Sequence, residues 1–238
     1  TPAQRPRPRG GLAPMTPPHD PESKGLRLVP ALLSLTVVSG LIDAVSYLGL
    51  GHVFTANMTG NVVVLGFAAA GAPGFSVPHT LTSLSCFVAG AATGGRTATW
   101  LSGGSRRTWA RATFAAEAVL TLACAAVAFA APHATATTYT VIAVTAFAMG
   151  LRNATVRRLG IADLTTTVLT MTLTGLAADS RVGGGAGHHS PRRTASVLAM
   201  AAGALLGAWL VLHHGLALPL LIAALIPAAL AATVSGRE

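Results

Sequence analysis

The chain has 238 residues, of which 52% are apolar and only 10% charged. Soluble domains carry about 25% charged residues, so this balance excludes an ordinary soluble domain and indicates an integral membrane protein. The net charge of +9 comes from arginines set singly or in pairs between apolar segments. Without stacking aromatics or a continuous basic face this excludes a nucleic-acid reader, and the charges read instead as determinants of topology.

Residues 1–27 are rich in Pro, Arg and Gly and are expected to be a disordered basic tail. The first apolar run has no small-residue cleavage site before Asp43, so it reads as a retained helix and not a removed leader. From there to residue 234 the chain reads as one polytopic membrane domain, with residues 235–238 as a short C-terminal tail. Six runs are long enough to cross a bilayer: Leu28–Leu50, Val77–Gly95, Ala112–Ala131, Thr137–Val156, Ala195–Leu212 and Leu216–Val234. At about 1.5 Å per residue they reach roughly 27–35 Å, against a hydrocarbon core of about 30 Å. Two further runs, Met58–Ala72 and Leu164–Ala178, each follow a break and would reach only about 22 Å.

Cytoplasmic loops collect Lys and Arg, and this decides whether the short runs cross. If both turn back, the tail, Arg96, Arg106, Arg107, Arg111, Arg157, Arg158, Arg181, Arg192, Arg193 and Arg237 all fall on the cytoplasmic side. The external segments 52–57, 71–76, 132–136 and 213–215 then hold no Lys or Arg. If both cross, Arg106, Arg107, Arg111, Arg157 and Arg158 move outside. The expected fold is therefore all-α, with six transmembrane helices and two short re-entrant helices. These form an inverted three-plus-three repeat (28–131 and 137–234) with both termini cytoplasmic. The two halves share residues: Gly40, Leu41 and Ala44 match Gly150, Leu151 and Ala154, and Asp43 falls on Asn153. Inverted repeats with broken helices mark transporters, and the breaks point at the substrate pathway. A positive helix N-terminus at each break would favour an anion or a polar neutral solute.

The segment GLIDAVSYLGLGHVFTANMTGN, with GLRNATVRRLG and TTTVLTMTLTGLAAD in the second half, resembles the YoaK-like family of bacterial membrane proteins, domain of unknown function 1275. The resemblance runs from about Leu28 to Val234. It implies a polytopic protein of the bacterial inner membrane and supplies no substrate or reaction. Met171 stands where the resemblance leads one to expect glycine.

Asp43 is the sharpest candidate. It lies roughly 10 Å inside the outer end of its span, and an intramembrane acid is a functional hypothesis by default. The competing reading is a latch that ties the broken helix to its neighbour. Asn57, Thr59 and Asn61 surround the start of the first short helix, where Asn57 can serve simply as its cap. In the second half Asn153, Thr166 and Thr170 take the corresponding positions, and Thr166, Thr170 and Thr174 form a stripe of hydroxyls. These can line a polar path or bond back to their own helix.

Arg152 lies near the inner end of its span and Asp43 near the outer end of its own, so depth argues against pairing them. Glu117 matches Arg152 in depth and is the candidate partner for an intramembrane ion pair. Snorkelling of Arg152 to the cytoplasm is the competing reading, and the sequence favours it. Cys86 and Cys124 read as small buried hydrophobes. His188, His189, His213 and His214 lack neighbouring ligands, so no metal and no cofactor is expected. Gly90, Gly94, Gly203 and Gly207 read as small-xxx-small packing positions.

The function read from the sequence is a transporter or channel for a small polar or anionic solute, not an enzyme, with the lipid bilayer as its surroundings. Asp43, Asn57, Thr59, Asn61, Asn153, Thr166 and Thr170 would line its pathway. The alternative is a non-transporting scaffold or regulatory membrane protein. The oligomeric state stays open, a homo-oligomer included.

Overall fold

Apolar runs broken by glycine and polar turns become eight α-helices in the computed structural model, which describes residues 28–100, 106–159, 169–185 and 190–233. These are α1 (Leu28–Gly49), α2 (Met58–Ala69), α3 (Val77–Trp100), α4 (Arg106–Ala130), α5 (Thr135–Leu159), α6 (Leu169–Ala178), α7 (Ser190–His214) and α8 (Ala217–Thr233). There is no strand among the described residues. The two terminal tails, Leu164, Thr166, His188 and His189 lie outside them.

Three helical stretches are both long and apolar enough to cross a membrane: Val29–Gly49, Thr108–Ala130 and Pro191–His214. The other expected spans differ from these for identifiable reasons. Helices α3 and α5 are 24 and 25 residues long, but Thr80, Ser83, Thr145, Arg152 and Thr155 are buried in them and lower their apolarity. Helix α8 has 17 residues, about 25 Å.

Polarity is distributed inside-out. Asp43, Glu117 and Arg152 are buried, while Val88, Val119, Phe129, Leu198, Leu205 and Leu212 are exposed. Charged side chains are almost never fully buried in soluble proteins unless paired, and so much exposed apolar surface suits lipid.

Glycines set the closest helix contacts. A Cβ on Gly203 would lie 2.0 Å from the Val37 carbonyl oxygen, and one on Gly207 would lie 2.7 Å from that of Leu41, so α7 lies backbone-to-backbone on α1. A Cβ on Gly90 would lie 2.1 Å from the Phe147 oxygen, and one on Gly94 would lie 2.9 Å from that of Leu151, which seats α3 on α5 in the same way. Rising numbers meet rising numbers in both pairs, so each pair is parallel.

Two apolar clusters give the remaining directions. One joins Leu32 and Leu35 of α1, Ala110 and Phe114 of α4, Val156 of α5 and Leu230 of α8. The other joins Val45 of α1 and Leu50 just after it, Cys124 and Ala128 of α4, Val141 and Ile142 of α5, and Leu220 of α8. Helices α1, α4 and α7 therefore run one way, and α3, α5 and α8 the other.

Candidate functional site

The site begins where α1 ends. Gly51 (φ 86°) and His52 (φ 59°) take the left-handed backbone conformation, which turns the chain sharply after Leu50. The turn is anchored on the far side of α2: the ring nitrogen Nδ1 of His52 lies 2.9 Å from the carbonyl oxygen of Gly74. The chain thus leaves and re-enters this region at one place, with α2 between.

Asp43 organises the inner part of the turn. Its Oδ1 accepts the backbone N–H of Ala56 at 2.9 Å and that of Asn57 at 3.2 Å. Asn57 caps α2, its Oδ1 accepting the Gly60 N–H at 3.2 Å. Asn61 is fully buried. Its Oδ1 accepts the Phe54 N–H at 2.8 Å, and its Nδ2 donates to the Phe54 carbonyl at 2.6 Å and to Ser83 Oγ at 3.1 Å. Ser83, on α3, donates to the same carbonyl at 2.6 Å. Irregular backbone at membrane depth must be satisfied by protein or water, and here the side chains of Asp43, Asn57, Asn61 and Ser83 satisfy it. The positive end of α2 therefore already meets a carboxylate and an amide oxygen of this chain.

Glu117 and Arg152 meet at the centre of the bundle. Arg152 Nη1 donates to Glu117 Oε1 at 2.9 Å, and neither side chain has any solvent exposure. Arg152 does not snorkel to the cytoplasmic face. Its second guanidinium nitrogen, Nη2, donates to Ser39 Oγ at 2.5 Å, joining α1, α4 and α5. Glu117 Oε2 and Arg152 Nε have no hydrogen-bond partner among the described residues. Ser39 is one helical turn from Asp43, about 6 Å along the axis, so the Arg152 guanidinium ends one turn away from that carboxyl.

This contact belongs to a longer polar seam. Thr36, Ser39, Asp43 and Ser46 of α1 are buried, as are Thr113, Glu117 and Thr121 of α4 and Thr145, Arg152 and Thr155 of α5. The α1 hydroxyls donate to carbonyls of their own helix, Thr36 to Leu32, Ser39 to Leu35 and Ser46 to Asp43, so only their lone pairs face the interior. Thr155 also donates to Thr113 across α4 and α5 at 3.1 Å. The residues that sequence reasoning missed are Ser39, Ser83, Thr113 and Thr155. For Ser39 and Thr113 the signal was available: positions 36, 39, 43 and 46, and 113, 117 and 121, each repeat on one helical face.

The remaining candidates lie elsewhere. Thr59 sits on an exposed face of α2, and Thr170 and Thr174 sit on an exposed face of α6. Asn153 donates to the Met149 carbonyl one turn back at 2.8 Å. Among the described residues no three His, Cys, Asp or Glu side chains come together.

The family model described as "Protein of unknown function (DUF1275)" matches residues 31–233. Among curated proteins the chain is similar to the UPF0700 transmembrane protein YoaK of Bacillus subtilis (strain 168), with 37% identity over 153 residues. That match covers 63% of this chain and 64% of the relative, less than two thirds of either. No solved structure matches.

Proposed function

The chain belongs to the DUF1275 family, and we propose that it is a non-enzymatic transporter or channel of the bacterial inner membrane that carries a small polar solute. The observation that carries this reading is the buried polar seam of α1, α4 and α5, which reaches the broken turn at Asp43. Intramembrane ionisable groups of this kind mark pathways and relays.

An inverted repeat of six spans and two re-entrant helices is the architecture of this reading, and the glycine contacts support it. Val37 and Gly40 meet α7 as Phe147 and Gly150 meet α3, and both residue pairs are 110 apart in sequence. Gly203 and Gly207 likewise stand in for Gly90 and Gly94 at a constant shift of 113. Because α1 and α5 run in opposite directions, the repeat they belong to is inverted. The His52–Gly74 contact supports a re-entrant α2. With the termini cytoplasmic, Arg111, Arg157 and Arg158 lie on the cytoplasmic side, as the positive-inside rule requires.

Asp43 already occupies the amides at the turn before α2. A neutral polar solute therefore suits this end better than an anion, which would have to displace the carboxylate.

One observation favours the second reading, a scaffold without transport: Asp43, Asn57 and Asn61 all hold the turn in place. Stopped-flow light scattering separates the two. Liposomes containing the full chain are mixed with glycerol, urea or potassium acetate. The transport reading expects permeation faster than in protein-free liposomes for at least one solute, with glycerol or urea ahead of acetate. It also expects Asp43→Asn, reconstituted to the same level, to slow that flux. Rates equal to protein-free liposomes for all three would leave the scaffold, and unchanged flux in Asp43→Asn would remove Asp43 from the pathway.

A further inference from the structure

Counting charges in the bundle centre leaves one carboxyl without a counter-charge. Asp43, Glu117 and Arg152 are all buried, and they comprise two acids and one guanidinium. Glu117 and Arg152 are bonded to each other at 2.9 Å and form a neutral pair. Among the described residues Asp43 has no such partner: its Oδ1 accepts the Ala56 and Asn57 amides.

The elements packed around Asp43 do not supply the missing charge. On α4, the cations Arg106, Arg107 and Arg111 all lie in its first two turns, and Arg111 is exposed and donates to Ala231. The other described cations of α5, Arg157 and Arg158, are exposed at its end. Helix α7 carries Arg192 and Arg193 in its first turn and His213 and His214 in its last, while α8 carries no ionisable side chain. His52 in the turn is exposed and faces Gly74. Tyr47 of α1 stacks on Phe54, and His79 of α3 meets Tyr139 of α5 edge-on. Cys124 is a buried thiol in the apolar cluster nearer the α4 end.

A lone buried carboxylate costs several kcal/mol even after relaxation, and two amide bonds offset only part of that. The group is accommodated by becoming neutral. We propose that Asp43, Arg152 and Glu117 form a one-proton site, in which Asp43 takes up and releases a single proton as the coupling step of transport.

Uptake forms one O–H bond on the carboxylate, breaks none within the protein, and takes the cluster from a net charge of −1 to zero. Release returns that proton to water. Because Oδ1 holds both amides, a proton on Oδ2 leaves the turn intact. A metal cation fits poorly, because the contacts of Asp43 are N–H donors, whereas hard cations require several oxygen ligands. Arg152 is a positioning residue here, since it sets how much negative charge the centre tolerates. The coupling role rests on the transport reading above; the proton site itself does not.

Infrared difference spectroscopy on the full chain in lipid nanodiscs, titrated in pH without any solute, tests the site. The wild type is expected to show one protonated-carboxyl band near neutral pH that disappears as pH rises. Labelling with 13C-aspartate shifts that band, and labelling with 13C-glutamate leaves it in place. Asp43→Asn lacks the band. Glu117→Gln also lacks it at neutral pH, because Arg152 then balances an ionised Asp43. Both variants are compared at a wild-type gel-filtration profile, and the isotope readout needs no substitution.

Absence of the band in the wild type overturns the proposal, as does its persistence in Glu117→Gln, a shift with labelled glutamate instead, or a response to sodium at fixed pH. A band present without solute flux would retain the site and defeat the transport reading. Flux without the band would do the reverse.

Discussion

Arg152→Ala is expected to destabilise the protein by about 3–5 kcal/mol, the usual cost of removing one partner from a buried ion pair. The substitution leaves the Glu117 carboxylate, with no solvent exposure, facing an empty volume, and it frees Ser39 Oγ from the guanidinium that now binds it. Replacing both partners by apolar residues of similar size, Glu117→Leu with Arg152→Met, is expected to recover most of the loss, since such exchanges are often neutral or stabilising. Unfolding in mixed micelles with increasing sodium dodecyl sulfate measures all three proteins. A cost for Arg152→Ala within about 1 kcal/mol, typical of exposed pairs, would mean that Arg152 reaches water. The snorkelling arrangement would then be the correct one.

The second large effect is steric, and it comes in matched pairs. A leucine at Gly203 has to place its Cβ 2.0 Å from the Val37 carbonyl oxygen, and a leucine at Gly90 its Cβ 2.1 Å from that of Phe147. Neither neighbour is a movable side-chain tip, so the helices must separate along their whole contact. The expected cost is at or above the upper end of the about 1–3 kcal/mol seen for overpacking. It should be similar for Gly203→Leu and Gly90→Leu, because the two contacts are counterparts. Gly95, one residue beyond Gly94, has nothing within 4 Å of a Cβ. Gly95→Leu is therefore expected to be neutral, or stabilising by up to about 1 kcal/mol through helix propensity. The same unfolding assay reads all three, and an equal cost at Gly95 and Gly90 would contradict the close packing of α3 on α5.

Much of this arrangement is legible in the sequence where it depends on local chemistry. The Met58–Ala72 run becomes α2 at Met58–Ala69, with Asn57 as its cap. The spacing of Gly90 with Gly94 and of Gly203 with Gly207 marks the helix faces that touch. Depth along a span offers Glu117 as the partner of Arg152, although the sequence favours snorkelling, which the buried pair overturns.

The less legible features depend on what faces what. Depth separates Arg152 from Asp43 but ignores the reach of an arginine side chain, which here extends to Ser39, one turn from Asp43. The threonines of the second half read equally as a pathway or as packing, and the exposure of Thr170 and Thr174 comes only from how α6 lies on α7. Helices α3 and α5 read as ordinary spans, yet Gly90 and Gly94 of one and Gly150 of the other are matched to the facing backbone, a property of the pair that neither sequence carries alone. The role of Asp43 on the turn is visible only once residues 13 and 14 positions away, Ala56 and Asn57, are seen to donate to it.

Thiol accessibility in intact cells tests the inverted arrangement most directly. Single cysteines at Pro73, His133 and Val182, all exposed positions, are placed in a background lacking Cys86 and Cys124 and treated with a membrane-impermeant reagent. The account predicts labelling at Pro73 and His133 and protection at Val182 until the cells are permeabilised, because α2 and α6 each return to the side from which they start. Protection at both Pro73 and His133 would contradict it, since α2 would then cross the membrane and the two halves could not be related by inversion.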